Sequence, residues 1–257
     1  EEALLKLEGT RFEAQSRLAL LANYERSRDW EHAAQIAQKL ESCGQGSFKG
    51  RLSHYLCEQA MACMVANDPT QALAHLTQAM HIAPDAPRPR IDMAALQSQQ
   101  DNAALACETL TQALATAPAA VALIAPRLAQ YAIACGQGPR ALARLKALYS
   151  HTPSLDVLDA IVALEAASGA PTATAREWYA RHLESEPSLV AAAKWIAGEK
   201  LEHEQFHPQV QRALDQAVKP LTRYRCAACG FEAKQHFWQC PGCQAWDSYP
   251  ARRVEEL

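Results

Sequence analysis

Apolar residues recur along most of the chain with the three- and four-residue spacing of amphipathic helices. These runs are rich in alanine, leucine and glutamine, and short polar breaks separate them at residues 67–69, 100–102, 136–139 and 168–171. The breaks carry the prolines and capping residues that begin helices and the glycines that end them. The pattern predicts consecutive helical hairpins, with almost no β-strand outside the C-terminal segment.

The hairpins repeat with a period of about 34 residues, which is that of the tetratricopeptide repeat. The period is marked by five prolines: Pro84, Pro118, Pro153, Pro187 and Pro220. Small residues recur twelve positions before four of them, at Ala72, Ala106, Ala141 and Ala175. Small side chains at a fixed phase allow two helices to cross closely. We predict an all-α protein, with a tetratricopeptide-repeat superhelix of about six hairpins over residues 1–220. One hairpin breaks near residues 27–29, and a longer connection follows at residues 42–49.

Two Cys-x-x-Cys pairs lie near the C-terminus, Cys226 with Cys229 and Cys240 with Cys243, and ten residues separate them. Each pair can present two thiolates from one tight turn, and four thiolates suit a tetrahedral zinc or iron ion. The spacing predicts a small rubredoxin-like metal ribbon over residues 221–257 that holds one ion in a structural role. Zinc and iron both remain open, and the alternative is a pair of disulfides or redox dithiols.

The residues that follow each pair predict the turn geometry. Gly230 follows the first pair where a left-handed backbone is usual, and Gln244 stands at the same place after the second. We expect Gln244 to carry a strain of about 1 kcal/mol. Six aromatic residues share this segment, and we expect them to pack around the ion, with a docking surface as the alternative. They are Tyr224, Phe231, Phe237, Trp238, Trp246 and Tyr249.

The remaining composition narrows the class of protein. A net charge of −3 and a pI near 6.3 argue against generic binding of nucleic acid or an anionic membrane. No segment has the length and apolarity of a membrane span. The chain begins without methionine in a stretch that resembles the end of a helix, so we expect a fragment. Five further cysteines predict small buried side chains in a reducing compartment, and they are Cys43, Cys57, Cys63, Cys107 and Cys135.

Repeat arrays of this kind bind peptides or proteins on a concave face built from the first helix of each hairpin. Counting back from the repeat prolines places candidate partner-binding side chains on that face. They are His54, Met61, Met64, Arg88, Ile91 and Gln130, with Cys57 and Val157 at equivalent positions.

One stretch, residues 203–207, matches the H-E-x-x-H pattern of zinc proteases. Pro208 follows directly and disfavours helical geometry at His207, so we place His207 in a turn and out of register with His203. No phosphate-binding loop or nucleophile elbow accompanies the pattern. We therefore predict that the protein is not an enzyme.

The order of helical repeats followed by Y-R-C-x-x-C-G-F at residues 224–231 and W-x-C-P-x-C-x-A-W at residues 238–246 resembles the lipopolysaccharide assembly protein B family. The resemblance implies an adaptor on the cytoplasmic face of the bacterial inner membrane. Such adaptors help the membrane protease FtsH degrade the deacetylase LpxC, and other lipopolysaccharide regulators are possible partners. In that family an N-terminal membrane helix and further repeats precede the part that this chain resembles.

Two other functions remain open from the sequence. Four thiolates suit iron as well as zinc, so the ribbon is also consistent with an electron carrier. Zinc ribbons often contact polynucleotides, and five basic residues lie near this one: Arg223, Arg225, Lys234, Arg252 and Arg253. Nearby acidic residues dilute that charge, and they are Glu232, Asp247, Glu255 and Glu256.

Overall fold

A computed structural model describes residues 9–199 and 204–257. Within these residues twelve α-helices follow one another along the chain, and the only strands are two short ones in the C-terminal segment. The helices are α1 (Glu13–Ser27), α2 (Trp30–Ser42), α3 (Lys49–Val65), α4 (Pro69–Ile82), α5 (Pro87–Gln99), α6 (Ala103–Thr116), α7 (Val121–Ala134), α8 (Gly138–His151), α9 (Leu155–Ala167), α10 (Thr172–Ser185), α11 (Leu189–Ala197) and α12 (His207–Val218). Short 3₁₀ turns lie at Pro118–Ala120, Glu204–Phe206 and Val254–Glu256. This is the predicted all-helical, tetratricopeptide-like repeat with a small C-terminal ribbon.

The predicted helix breaks are confirmed, and their backbone angles explain them. Arg28, Asn67 and Asp101 adopt left-handed φ angles of 57°, 60° and 59° directly after or near the end of a helix. A left-handed residue ends a helix because the following N–H groups turn back onto its last carbonyl oxygens. Asp29 and Asp68 then begin the next helices, since their carboxylates accept hydrogen bonds from backbone N–H groups in the first turn.

The phase of the repeat also predicts which residues are interior. Ala72, Ala106 and Ala141 are buried, and Ala175 is half-buried. Because these small residues sit where neighbouring helices approach, a larger side chain there would push the helices apart. The alanine positions read from the sequence are therefore mostly core positions.

The chain divides into two compact units. Among the described residues, the first unit contains residues 9–102 and Ala115–Ala117, and its core includes Leu56, Leu76 and Leu96. The second contains Ala103–Leu114 and Pro118–Leu257, so it holds both the later helices and the metal ribbon. One of its cores joins Leu158 and Tyr179 to α11.

The burial predicted for the five cysteines outside the ribbon is complete at two of them and partial at two more. Cys57 and Cys107 are buried, and Cys63 and Cys135 are half-buried. The prediction is wrong for Cys43, which is exposed. Helix α2 ends at Ser42, so Cys43 is a capping residue beyond the apolar face of the helix.

No helix within residues 9–199 or 204–257 is long and apolar enough to cross a membrane. The first seven residues, which the sequence suggests are the end of a helix, lie outside the described part of the chain.

Candidate metal centre

The ribbon is built from two turns, each closed by antiparallel backbone pairing. Strand β1 (Tyr224–Arg225) pairs antiparallel with β2 (Glu232–Ala233), which closes the first turn. A single antiparallel bridge between Gln239 and Trp246 closes the second. Each turn carries one Cys-x-x-Cys pair at its tip.

The two turns have the same hydrogen-bond pattern. In the first, Cys226 N–H donates to the Phe231 carbonyl at 2.9 Å, and the Cys226 carbonyl accepts from Gly230 N–H at 2.9 Å. In the second, Cys240 N–H donates to the carbonyl five residues on at 2.9 Å, and its own carbonyl accepts from Gln244 N–H at 2.8 Å. The left-handed conformations predicted for Gly230 and Gln244 are confirmed, with φ angles of 77° and 61°.

This pair of turns predicts opposite effects from two matched substitutions. Gln244→Gly is expected to stabilise the ribbon by up to about 1 kcal/mol, because glycine adopts a left-handed backbone without steric penalty. Gly230→Ala is the control, and it should destabilise the ribbon by about 1 kcal/mol. A methyl group at Gly230 meets no atom within 4 Å, so the effect reports the backbone alone. Thermal unfolding of the metal-loaded protein measures both; equal shifts of the same sign would contradict the strain at Gln244.

The four cysteine sulfurs converge on one point. The Sγ atoms of Cys226 and Cys243 lie 3.8 Å apart, those of Cys229 and Cys240 lie 3.7 Å apart, and all four lie within 4.8 Å of one another. With metal–sulfur bonds of about 2.3 Å, a regular tetrahedron has sulfur–sulfur edges of about 3.8 Å. Disulfide bonds are far shorter, at about 2.05 Å. The arrangement therefore suits one four-thiolate metal ion.

The surroundings of the two buried cysteines, Cys226 and Cys240, favour the thiolate form that binds metal. Burial disfavours charge on Cys226, yet the Ser248 hydroxyl and the backbone N–H groups of Cys229 and Ala228 lower its pKa to about 6. At Cys240, burial is likewise outweighed by the backbone N–H groups of the second turn, and the pKa is lowered. Two of the four ligands thus have hydrogen-bond donors in place for a negative sulfur.

Exposure divides the ligands into two kinds. Cys226 and Cys240 are buried beside Tyr224 and Tyr249, whereas Cys229 and Cys243 are exposed. Both tyrosines pack around the centre as predicted, and the ring of Phe231 lies over the second turn. A methyl group at Gly242 would come within 3.3 Å of that ring, so a larger residue there would crowd the ring. Phe231 is itself 44% exposed, and Phe237, Trp238 and Trp246 are half-buried.

The ribbon is fastened to the repeat helices by the last residues of the chain, Arg253, Glu255 and Glu256, which we call the C-terminal clasp. The Arg253 guanidinium donates to both carboxylate oxygens of Asp156, at 3.0 and 2.8 Å, and to the Thr222 carbonyl at 2.8 Å. It also lies 4.2 Å from the centre of the Tyr224 ring. Asp156 is buried in the first turn of α9, so this ion pair is largely removed from water.

The two glutamates of the clasp occupy helix N-termini. Glu255 accepts from the backbone N–H groups of Leu189 and Val190 at 2.6 and 3.1 Å, at the start of α11. Glu256 accepts from Leu155 N–H at 2.7 Å, at the start of α9. The first N–H groups of a helix lack intrahelical partners and attract negative charge. The clasp therefore provides hydrogen-bond acceptors for backbone N–H groups at the N-termini of α9 and α11, and it fixes the ribbon against both helices.

The clasp was not predicted from the sequence. Glu255 and Glu256 were interpreted there only as acidic residues that dilute the basic charge near the ribbon. The single sequence signal is the position of Asp156, an acidic residue in a helix first turn, and that does not indicate a distant arginine.

The predicted partner-binding residues differ in burial, and they do not all lie at the surface. His54, Arg88 and Ile91 are buried, Met64 is half-buried, and Met61 and Gln130 are exposed. Arg88 donates to Glu58 at 2.6 Å and to Asp92 at 3.3 Å, and its Nη1 lies 3.3 Å from His54 Nδ1. These ionic partners of Arg88 were not anticipated. Partner binding by these six residues stays a prediction.

The H-E-x-x-H stretch is only partly described, because His203 lies outside the described residues. His207 is the first residue of α12, at the start of the helix rather than within the preceding turn. Its Nε2 lies 3.1 Å from the Ile196 carbonyl oxygen, where it tethers the end of α11.

Residues 224–249 match the family model described as the rubredoxin metal binding domain. Over 245 residues, which is 93% of this chain, the sequence is 23% identical to lipopolysaccharide assembly protein B of Escherichia coli strain K12. The chain is a distant homologue of that protein. It spans 62% of the relative's length, and the same values hold for the protein from strain O157:H7.

Among solved structures, a crystal structure of MamA aligns with a TM-score of 0.44 and 14% identity, covering 67% of this chain and 91% of MamA. A crystal structure of PilW, a type IV pilus biogenesis factor, aligns with a TM-score of 0.43 and 15% identity, covering 80% of this chain and 92% of PilW. Likenesses at this level carry no functional argument.

Proposed function

We propose that the protein is a non-enzymatic adaptor in lipopolysaccharide assembly, acting through contacts with other proteins at the cytoplasmic face of the inner membrane. The observation that carries the proposal is the combination of the four-cysteine centre and the clasp. Four protein ligands fill a tetrahedral site and leave no open position for substrate, which is the mark of a structural metal. The clasp then makes the ribbon a fixed part of the helical scaffold.

The homology supplies the biological setting of this proposal. The relative's name assigns it to lipopolysaccharide assembly. Following the family resemblance of the sequence, the proposed partners are the protease FtsH and its substrate LpxC, with other lipopolysaccharide regulators. An adaptor that holds protease and substrate together raises their effective concentration without chemistry of its own. The repeats over residues 1–220 and the ribbon over residues 221–257 would serve as the two parts of this scaffold.

Reconstituted proteolysis tests the adaptor proposal. Cys243→Ser is expected to abolish the stimulation of LpxC degradation by FtsH in reconstituted membranes, because the ribbon loses a metal ligand. Cys43→Ser is the matched control, since Cys43 is exposed and lies outside the ribbon, and it should leave stimulation unchanged. Full stimulation by the Cys243→Ser protein would sink the proposal.

An electron carrier is the second candidate, and the exposure of Cys229 and Cys243 favours it. Ligands at the surface shorten the path for electron transfer to a partner. Iron-loaded protein that shows a reversible absorbance change on reduction, and passes electrons to a partner protein, would establish this function. Binding of nucleic acid has less support, because Arg253 and Arg225 already form ion pairs with Asp156 and Glu232.

A further inference from the structure

A cleft of about 480 Å³ opens in the second unit where α9, α11 and the end of α12 meet the ribbon. We propose that this cleft binds an acidic peptide segment that carries an aliphatic side chain. The proposal rests on the adaptor function for its biological role, since it names the kind of partner segment that the scaffold holds. The binding itself depends only on the charges and surfaces of the cleft.

The inner wall of the cleft is electrically balanced. Arg253 of the clasp forms a bidentate ion pair with Asp156, and Lys194 forms an ion pair with Asp159. These four side chains line the cleft, but each charge has an opposite charge in contact with it. They shape the cleft without attracting a ligand of either sign.

The rim is positive. Lys219, Arg223 and Lys234 line it from three separate segments: the end of α12, the linker to the ribbon, and the residue after β2. Lys219 donates to the neutral amide of Gln216 at 2.8 Å. The Arg223 guanidinium lies 3.8 Å from the Glu232 carboxylate.

That carboxylate of Glu232 is already engaged by Arg225, at 2.8 Å. The rim thus concentrates about three positive charges on a chain whose net charge is −3. Such a concentration attracts an anionic partner.

The floor of the cleft is apolar. Leu155 and Val190 line it, and each residue exposes less than 5% of its surface to solvent. A cavity of this size lies within the range of about 300–1,000 Å³ that is typical of sites for small ligands or a few side chains. An apolar floor below a cationic rim is complementary to a short segment in which carboxylates alternate with an aliphatic side chain.

Two features favour a peptide over nucleic acid. The described residues that line the cleft include no aromatic ring on which a base can stack. The apolar floor formed by Leu155 and Val190 also complements an aliphatic side chain and offers no polar contact to a sugar–phosphate backbone.

Fluorescence anisotropy of a labelled peptide with alternating glutamate and leucine, titrated with the metal-loaded protein, tests the proposal. Charge reversal at the rim, in the double variant Lys219→Glu with Lys234→Glu, is expected to weaken binding about tenfold or more. The control is Lys39→Glu with Arg127→Glu, which makes the same change in net charge at two exposed residues that do not line the cleft. It should change the dissociation constant less than about twofold.

Three further probes complete the test. Replacing the peptide's glutamates by glutamine, or its leucines by serine, should each weaken binding to the wild-type protein. Equal binding by the rim variant and the wild type would overturn the proposal, as would tighter binding of a single-stranded oligonucleotide of equal charge. If the peptide binds as expected while FtsH-dependent degradation of LpxC proves unaffected by the protein, the adaptor function fails and the acidic-peptide site stands.

Discussion

Serine in place of Cys226 or Cys243 is expected to unfold the metal ribbon and leave the content of α-helix nearly unchanged. The ribbon holds only two strands of two residues each, so the metal must supply most of its folding free energy. Structural zinc contributes about 10–16 kcal/mol in small four-ligand domains, which a three-ligand site cannot match. Metal analysis, far-UV circular dichroism and limited proteolysis of the C-terminal segment measure the three parts of this result.

The control for this experiment is Cys57→Ala, at a cysteine buried in the core of the first unit. It should destabilise the helices modestly and leave the metal content at one ion per chain. A ribbon that resists proteolysis after complete removal of metal would contradict the structural role of the ion.

Loss of the Arg253 side chain is expected to destabilise the second unit by about 3–5 kcal/mol, because it leaves the buried Asp156 carboxylate without a partner. The guanidinium makes three hydrogen bonds and covers the Tyr224 ring, so both charge and packing are lost in Arg253→Ala. Urea unfolding of the metal-loaded protein, followed by fluorescence, measures the change. Protease sensitivity of the C-terminal segment should rise in parallel.

The neighbouring residue provides a matched control for the clasp. Arg252→Ala makes the same chemical change at an exposed side chain and should alter the free energy of unfolding by less than about 0.5 kcal/mol. Asp156→Asn in the Arg253→Ala background should restore part of the lost stability, since an amide is less costly to bury than a carboxylate. Equal effects of Arg252→Ala and Arg253→Ala would show that the clasp does not fasten the ribbon.

The features that the sequence predicts correctly are those set by neighbouring residues. Asn67 and Asp68 show the point: one accepts a left-handed backbone and the other caps the next helix, so the break follows from two adjacent residues. Gly230 and Gln244 are read in the same way from their place after each cysteine pair. Cys43 was misjudged because the helix ends one residue before it, and helix ends are the least certain part of a periodic pattern.

By itself, then, the sequence determined the succession of helices, the phase of their buried alanines and the four cysteines that converge at the candidate metal centre. Each depends on a short motif or a fixed period. Only the tertiary structure decided that Glu255 and Glu256 cap α11 and α9, that Arg253 pairs with Asp156, and that a cationic rim surrounds a cleft with an apolar floor. These contacts join residues 65 to 101 positions apart. A charged side chain carries no local mark of its distant partner, so only the folded chain brings the two together.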